Sequence, residues 1–205
     1  MKSVFLSASV PNTSSDYYKG CNPVLIQSAL RSFFFSVIGR KHLVFGGHPS
    51  ISPLILVVCE ELGVENENAV TIFQSQYFEA SFPAESRKFA NFILTPAANT
   101  LDKSLAVMRK QMFAAFDYDS AVFIGGKEGI VQEHRLFKNA HPDSKIIALK
   151  TPGGAASTIG ATMAEDDELL DYDKLFSKSL NVSKKFLKEM PVPRKSHGAT
   201  YIKGM

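Results

Sequence analysis

The chain has 205 residues, of which 45% are hydrophobic, so it can bury a sizeable core, and we expect one domain over residues 1–190. The formal net charge is only +3 and charges of both signs are interspersed, which argues against a nucleic acid or a membrane surface as partner. No stretch approaches the roughly 18 uninterrupted apolar residues of a membrane-spanning helix. The two cysteines, Cys21 and Cys59, match no metal or redox spacing, and we expect a cytoplasmic protein.

Short β-rich apolar runs alternate with longer amphipathic stretches along the chain. In chain order, the pattern predicts strands at 3–9, 42–47, 69–75, 91–96, 120–126 and 144–150, and helices at 23–38, 52–63, 101–116 and 128–140. The chain then becomes acidic at 164–173, is predicted helical to residue 190, and ends in a flexible tail at 191–205. This alternation predicts an α/β fold, a doubly wound, Rossmann-like parallel sheet flanked by helices.

Three glycine pairs follow predicted strands: Gly46–Gly47, Gly125–Gly126 and Gly153–Gly154, each ahead of a predicted helix start. Parallel sheets bind ligands at the carboxyl ends of their strands, and a helix start offers free N–H groups to an anion. One such pair is more often plain turn geometry, but three in one small chain favour a phosphate-bearing ligand. Neither a GxGxxG fingerprint nor a P-loop is present, which favours a nucleotide monophosphate or a nucleotide derivative over ATP hydrolysis.

The same loops carry further candidates for ligand contact. They are Ser7, Ser9, His48, Lys127, Glu128 and Gly129. Two have simple structural alternatives, because Glu128 could merely complement a helix dipole and His48 is a lone loop histidine. The histidines show no HxH or HxxxH spacing, so we predict no metal site, and nothing in the sequence indicates a cofactor.

The stretch "MRKQMFAAFDYDSAVFIGGKEGIVQE" resembles the core motif of the LOG proteins, phosphoribohydrolases that cleave the base from cytokinin riboside monophosphates. The matching residues are Arg109 and Lys110, Gly125 and Gly126, and Glu133. The resemblance implies that Arg109 holds a phosphate or carboxylate and that Glu133 binds ribose hydroxyls. In an enzyme, Arg109 and Glu133 would be the catalytic pair, with Glu133 stabilising a sugar cation. Without the resemblance, both residues could equally be solvated helix residues.

Three departures separate the chain from the LOG pattern. Ile124 replaces a proline, the "KEG" loop is one residue longer, and Ile130 stands where the family has a threonine. With "VFLSASVP", "GGHPSISPLI" and "TPGGAAS", the sequence is similar to the wider SLOG superfamily, named after Smf/DprA and LOG. The closest similarity is to bacterial branches linked to nucleotide signalling and defence, which implies binding of nucleotides or NAD-derived nucleotides.

Three hypotheses for the function follow. The first is a sensor of a nucleotide or NAD-derived signal in a bacterial signalling or defence system, with an effector such as a TIR or sirtuin-type protein. The second is a LOG-like phosphoribohydrolase acting on a nucleoside 5′-monophosphate. The third is a structural or assembly domain without ligand.

Two further expectations concern the assembly and the glycine loop. We expect a homodimer, because the helix at 23–38 has more aromatic surface than a single face easily buries. We also expect Gly126→Val to block ligand binding while leaving the fold intact.

Overall fold

The computed structural model describes residues 2–65, 69–82, 84–159 and 170–189. The tail predicted at 191–205 and most of the acidic stretch, 164–169, lie outside these residues. Within the described ranges, no helix combines the length and the apolar character needed to cross a membrane.

Six parallel strands form one sheet with the order β4-β3-β2-β1-β5-β6. The strands are β1 (Ser3–Ser9), β2 (His42–Phe45), β3 (Val70–Ser75), β4 (Phe92–Thr95), β5 (Tyr118–Gly125) and β6 (Lys145–Ala148). The chain moves outward from β1 to β4 and then returns to the other side of β1 for β5 and β6. The strand order therefore reverses between β1 and β5, where open α/β sheets bind ligands.

Helices cover both faces of the sheet, as the alternating pattern predicted. They are α1 (Pro23–Val37), α2 (Ser52–Leu62), α3 (Leu101–Ala115), α4 (Glu128–Ala140) and α5 (Tyr172–Ser179). Successive residues of β1 point to opposite faces: Val4 and Leu6 pack with α1, α2 and α5, whereas Phe5 packs with α3 and α4. The predicted doubly wound α/β fold is confirmed.

The helix predicted to continue to residue 190 ends earlier. α5 stops at Ser179, and residues 180–189 follow without regular helix. Contacts distant in sequence hold this segment: the Leu187 N–H donates to the Gly39 carbonyl at 2.8 Å, and the Lys41 ammonium donates to the Asn181 carbonyl at 3.2 Å. The amphipathic pattern was therefore wrong for this segment, because tertiary hydrogen bonds override local helix propensity.

Helix α1 buries its aromatic side chains within the chain itself. Phe33 and Phe34 are completely buried, and Phe33 packs edge-on against Phe176 of α5 with ring centroids 5.4 Å apart. Phe35 is half-buried, and the guanidinium of Arg31 lies 4.8 Å from its ring centroid. The aromatic surface that suggested a homodimer is thus covered by α5 and by Arg31. The homodimer stays a prediction without that support.

The amino ends of the strands contain a fully buried histidine, His42. Its Nδ1 lies 2.8 Å from the Ser3 hydroxyl, and its Nε2 lies 2.8 Å from the Thr71 hydroxyl. Each hydroxyl can donate or accept, so both ring nitrogens of a neutral imidazole are satisfied. Burial lowers the pKa of His42 to about 3.

This histidine makes stability depend on pH. The unfolded chain binds a proton near pH 6.5 and the folded chain does not, so stability is full above that pH and falls as the pH drops toward 3. Between pH 7 and pH 5 the loss from His42 should be about 2 kcal/mol. Urea denaturation of the parent and of His42→Gln at both pH values measures it. An equal pH dependence in the two proteins would contradict the assignment.

Candidate functional site

A cleft of about 190 Å³ lies at the carboxyl ends of β1 and β2, facing the start of α4. It includes eight of the residues predicted from sequence: Ser7, Ser9, Gly46, Gly47, His48, Lys127, Gly129 and Glu133. Leu6, Ala8, Phe45, Ile51 and Ile130 provide the rest of the lining. The cleft lies beside the point where strand order reverses, because β1 is one of the two strands there.

A second cavity of about 360 Å³ adjoins this cleft on the β3 side. Four residues line both spaces, namely Gly46, Gly47, His48 and Glu133. We call the first space the β1 compartment and the second the β3 compartment. The shared lining places the two compartments side by side, and we refer to them together as the cleft.

Glu133 is held in place by two side chains from other elements. The Ser7 hydroxyl donates to its Oε2 at 2.6 Å, and Arg109 Nε donates to its Oε1 at 3.1 Å. Arg109 Nη1 also donates to Gln132 Oε1 at 2.9 Å. The side chains of Arg109 and Glu133 are only 8% and 16% exposed, so this ion pair is largely buried. The carboxylate keeps free lone pairs, because two donors occupy only part of its capacity.

Arg109 belongs to the support of the site and is not part of its lining. It lies on α3, beneath the first turns of α4, and lines neither compartment. Gly129 leaves room for the Arg109 side chain beside α4, since a Cβ at that position would lie 3.3 Å from Arg109 Nη2. The resemblance implied that Arg109 holds a phosphate or carboxylate and that Glu133 binds ribose; the structure instead pairs the two side chains with each other.

Two helices start at the cleft with no capping side chain. The N-cap residues Ile51 of α2 and Lys127 of α4 accept no side-chain cap hydrogen bond. The first N–H groups of a helix have no acceptor within the helix, and the helix dipole makes that end positive. Lys127 adds a full positive charge at the start of α4. At α2 the Ser52 N–H already donates to the His48 carbonyl at 3.0 Å and Pro53 has no N–H, so an anion would be favoured at the start of α4.

His48 also lies at this edge, beside Ser50. Its Nδ1 lies 2.7 Å from the Ser50 hydroxyl and accepts from the Ser50 N–H at 3.2 Å. Partial desolvation of the ring, and next the positive charge of Lys127, lower the pKa of His48. At neutral pH the lowered pKa favours the uncharged ring.

The other two glycine pairs pack against each other and do not line the cleft. The Gly126 N–H donates to the Ser9 carbonyl at 2.7 Å, and the Gly126 carbonyl accepts from the Ala155 N–H at 2.9 Å. All four glycines have φ between +65° and +73°. A Cβ on Gly154 would lie 2.6 Å from the carbonyl carbon of Gly125. These glycines let the segments after β1, β5 and β6 meet closely.

This packing changes two expectations. A Cβ on Gly126 would overlap the side chain of Ile130, so Gly126→Val should strain the fold, contrary to the expectation of an intact one. Gly153–Gly154 leads into a 3₁₀ turn at Ala155–Thr158 where a helix was predicted. Glu128 is exposed in the first turn of α4 and lines neither compartment.

Sequence reasoning missed the lining of the β3 compartment. Gln74, Phe78, Ser81 and Phe82 come from the end of β3 and the segment after it, and Leu105 and Met108 come from α3. The carboxyl end of β3 carries no glycine pair, and that was the signal used elsewhere. The position of β3 in a parallel sheet could have identified this loop, because all the strand ends share one edge.

No curated protein matches the chain. A sequence model described as the SLOG cluster3 family matches residues 16–180, which include α1 to α4, strands β2 to β6 and all of α5. The SLOG superfamily has nucleotide-related functions, in agreement with a cleft where the start of α4, which has no capping side chain, meets a fixed carboxylate. The chain therefore belongs to the SLOG cluster3 family.

Proposed function

We propose that this chain is a sensor module that binds a nucleotide or an NAD-derived nucleotide in the cleft at the ends of β1, β2 and β3. One observation carries the proposal. The carboxylate of Glu133 lines both compartments and is fixed there by Arg109 and Ser7 before any ligand arrives. A positioned carboxylate beside an anion-favouring helix start suits a sugar phosphate.

The phosphate would bind at the start of α4. The N–H groups of its first turn and the charge of Lys127 supply donors and positive potential there. The ribose would follow toward Glu133, whose remaining lone pairs can accept hydrogen bonds from the sugar hydroxyls. With the phosphate at the start of α4 and the ribose at Glu133, the rest of the nucleotide would extend toward the β3 compartment.

The arrangement favours binding over hydrolysis. Cleavage of an N-glycosidic bond requires negative charge that stabilises a cationic sugar. Here the charge of Glu133 is balanced by Arg109 at 3.1 Å. The apolar Ile130 also lines the β1 compartment where the LOG motif has a threonine hydroxyl. Both features support a site that holds a nucleotide without breaking it.

A LOG-like phosphoribohydrolase is the second candidate. It is favoured by the position of Glu133 at the junction of the two compartments, where the bond between ribose and base would lie. In that case Glu133 and Arg109 would form the catalytic pair that the resemblance implies.

The role in a cell follows from the sensor proposal. A sensor needs an output, and we propose an effector such as a TIR or sirtuin-type protein in a bacterial cytoplasm. A homodimer of this chain is a further proposal, and α1 can contribute to it only through its exposed positions, such as Val24 at 75% exposure.

The first test is a thermal shift screen with AMP, ADP-ribose, NAD and cyclic ADP-ribose. A ligand at 100 times its Kd should stabilise the folded chain by about 2.7 kcal/mol, which raises the melting temperature. Adenosine, which lacks the phosphate, is the control and should stabilise the chain much less. If no phosphate-bearing ligand shifts the transition, the proposed function is wrong.

The second test removes one member of the ion pair. Arg109→Met leaves the Glu133 carboxylate largely buried without its cation and should cost about 3–5 kcal/mol of stability. Glu133→Gln in the same chain should recover part of that loss, because it removes the unpaired charge. Chemical denaturation measures both variants. The exposed neighbour Lys110→Met is the matched control and should change stability by less than about 0.5 kcal/mol. If Arg109→Met and Lys110→Met lost equal amounts of stability, the buried ion pair would be contradicted.

The third test separates the sensor from the enzyme. The parent protein is incubated with AMP and free adenine is followed by chromatography. A sensor releases no adenine above the buffer control. A hydrolase releases it, and Glu133→Gln should then lower turnover by orders of magnitude while AMP still binds. Release that depends on Glu133 would replace the sensor proposal with the second candidate.

A further inference from the structure

We propose that the β3 compartment is a nucleobase subsite in which the side-chain amide of Gln74 recognises the edge of the base. This inference rests on the proposed function, because the base must belong to a nucleotide whose phosphate binds at the start of α4. It goes beyond that function by assigning the base, and the residue that reads it, to a separate part of the cleft.

The state of Gln74 is the first observation. Gln74 lies near the carboxyl end of β3, is only 6% exposed, and lines the β3 compartment. Its backbone carbonyl accepts from the Thr95 hydroxyl, but its side-chain amide makes no hydrogen bond to any described residue. Among the described side chains, only the Ser86 hydroxyl is buried without a hydrogen-bond partner, so the Gln74 amide still reaches solvent. A ligand in the compartment would take over the hydrogen bonds that the amide makes to water.

Gly47 is the second observation. It adopts a φ of +54°, and a Cβ there would overlap the amide of Gln74. The glycine therefore leaves the amide room beside the loop after β2. Gly47 lines both compartments, so the phosphate side and the base side of the cleft meet at this residue.

The walls of the compartment suit a flat aromatic ring. Phe78, Phe82, Leu105 and Met108 line it with apolar atoms. Phe82 is held by an edge-on contact with Phe92 of β4, with ring centroids 5.6 Å apart. Aromatic and apolar side chains bind bases of any sequence by stacking, so these walls supply affinity and little discrimination.

Discrimination would come from the amide. Glutamine presents an N–H donor and a carbonyl acceptor side by side, and this pair matches the amino group and the neighbouring ring nitrogen of adenine. Guanine also has an adjacent donor and acceptor and would meet a flipped amide. The ligand class is therefore a nucleotide whose base carries such a pair, and adenine is the base to test first.

The experiment measures binding of AMP and ribose 5-phosphate by calorimetry to the parent and to Gln74→Leu. The parent should bind AMP at least about tenfold more tightly than ribose 5-phosphate. Gln74→Leu should weaken AMP by about tenfold, since the amide's hydrogen bonds are lost, and leave ribose 5-phosphate within about twofold. Gln76→Leu, two residues away and exposed, is the matched control and should change neither affinity.

A second arm needs no variant. Purine riboside 5′-monophosphate lacks the amino group of AMP, so the parent should bind it about tenfold more weakly than AMP. Gln74→Leu should not distinguish the two nucleotides. GMP in the same series shows whether the amide accepts guanine as well.

Three results would overturn the inference. Equal weakening of AMP and ribose 5-phosphate in Gln74→Leu would show that Gln74 acts through the fold. Ribose 5-phosphate binding as tightly as AMP to the parent would show that the base stays outside the compartment. If neither ligand binds the parent, and no ligand of the thermal shift screen binds it either, the proposed function itself fails, and this subsite fails with it.

Discussion

The ion pair between Arg109 and Glu133 is the interaction on which the cleft depends. It joins α3 to α4 across the end of the sheet, and the Ser7 hydroxyl adds β1 to the same network. Because both charged side chains are largely buried, the pair fixes one geometry for the carboxylate. The start of α4, with its free N–H groups, is thereby held at a constant position relative to β1. Every contact proposed for a sugar phosphate involves either the Glu133 carboxylate or the start of α4.

The glycines are the second constraint, and they act in two different ways. Gly125, Gly126, Gly153 and Gly154 let three chain segments pack backbone against backbone, so their contribution to the site is indirect. Gly46 and Gly47 line the cleft itself. A glycine pair after a strand therefore does not identify a phosphate loop. What separates the two kinds is whether the neighbouring space is filled by protein or left open.

Much of the architecture was predictable from sequence. All six strands and the helices α1 to α4 follow from hydrophobic periodicity, because each element buries one face against a continuous core. The motif resemblance selected Arg109 and Glu133 as site residues, but their contact with each other was not predicted. The β3 compartment was not predicted either, since Phe78, Phe82 and Met108 come together only through strand order and helix packing. The early end of α5 was also hidden, because the hydrogen bonds of Leu187 and Asn181 are tertiary.

The two edges of the sheet differ in how well their polar groups are satisfied. At the amino edge, His42 is paired with Ser3 and Thr71, and the Lys41 ammonium lies 2.6 Å from the Asp119 carboxylate. At the carboxyl edge, the start of α4 has no capping side chain, Gly47 has a positive φ, and the amide of Gln74 has no hydrogen-bond partner among the described residues. Missing helix caps, left-handed backbone and unbonded polar groups that cluster at one place are typical of a functional site, because selection retains them only where a ligand compensates. Among the described side chains, only the Ser86 hydroxyl is buried without a hydrogen-bond partner; it does not line the cleft, and nothing in the structure explains it. The asymmetry between the edges is independent of the family resemblance, and it supports the proposed ligand site at the same end of the sheet.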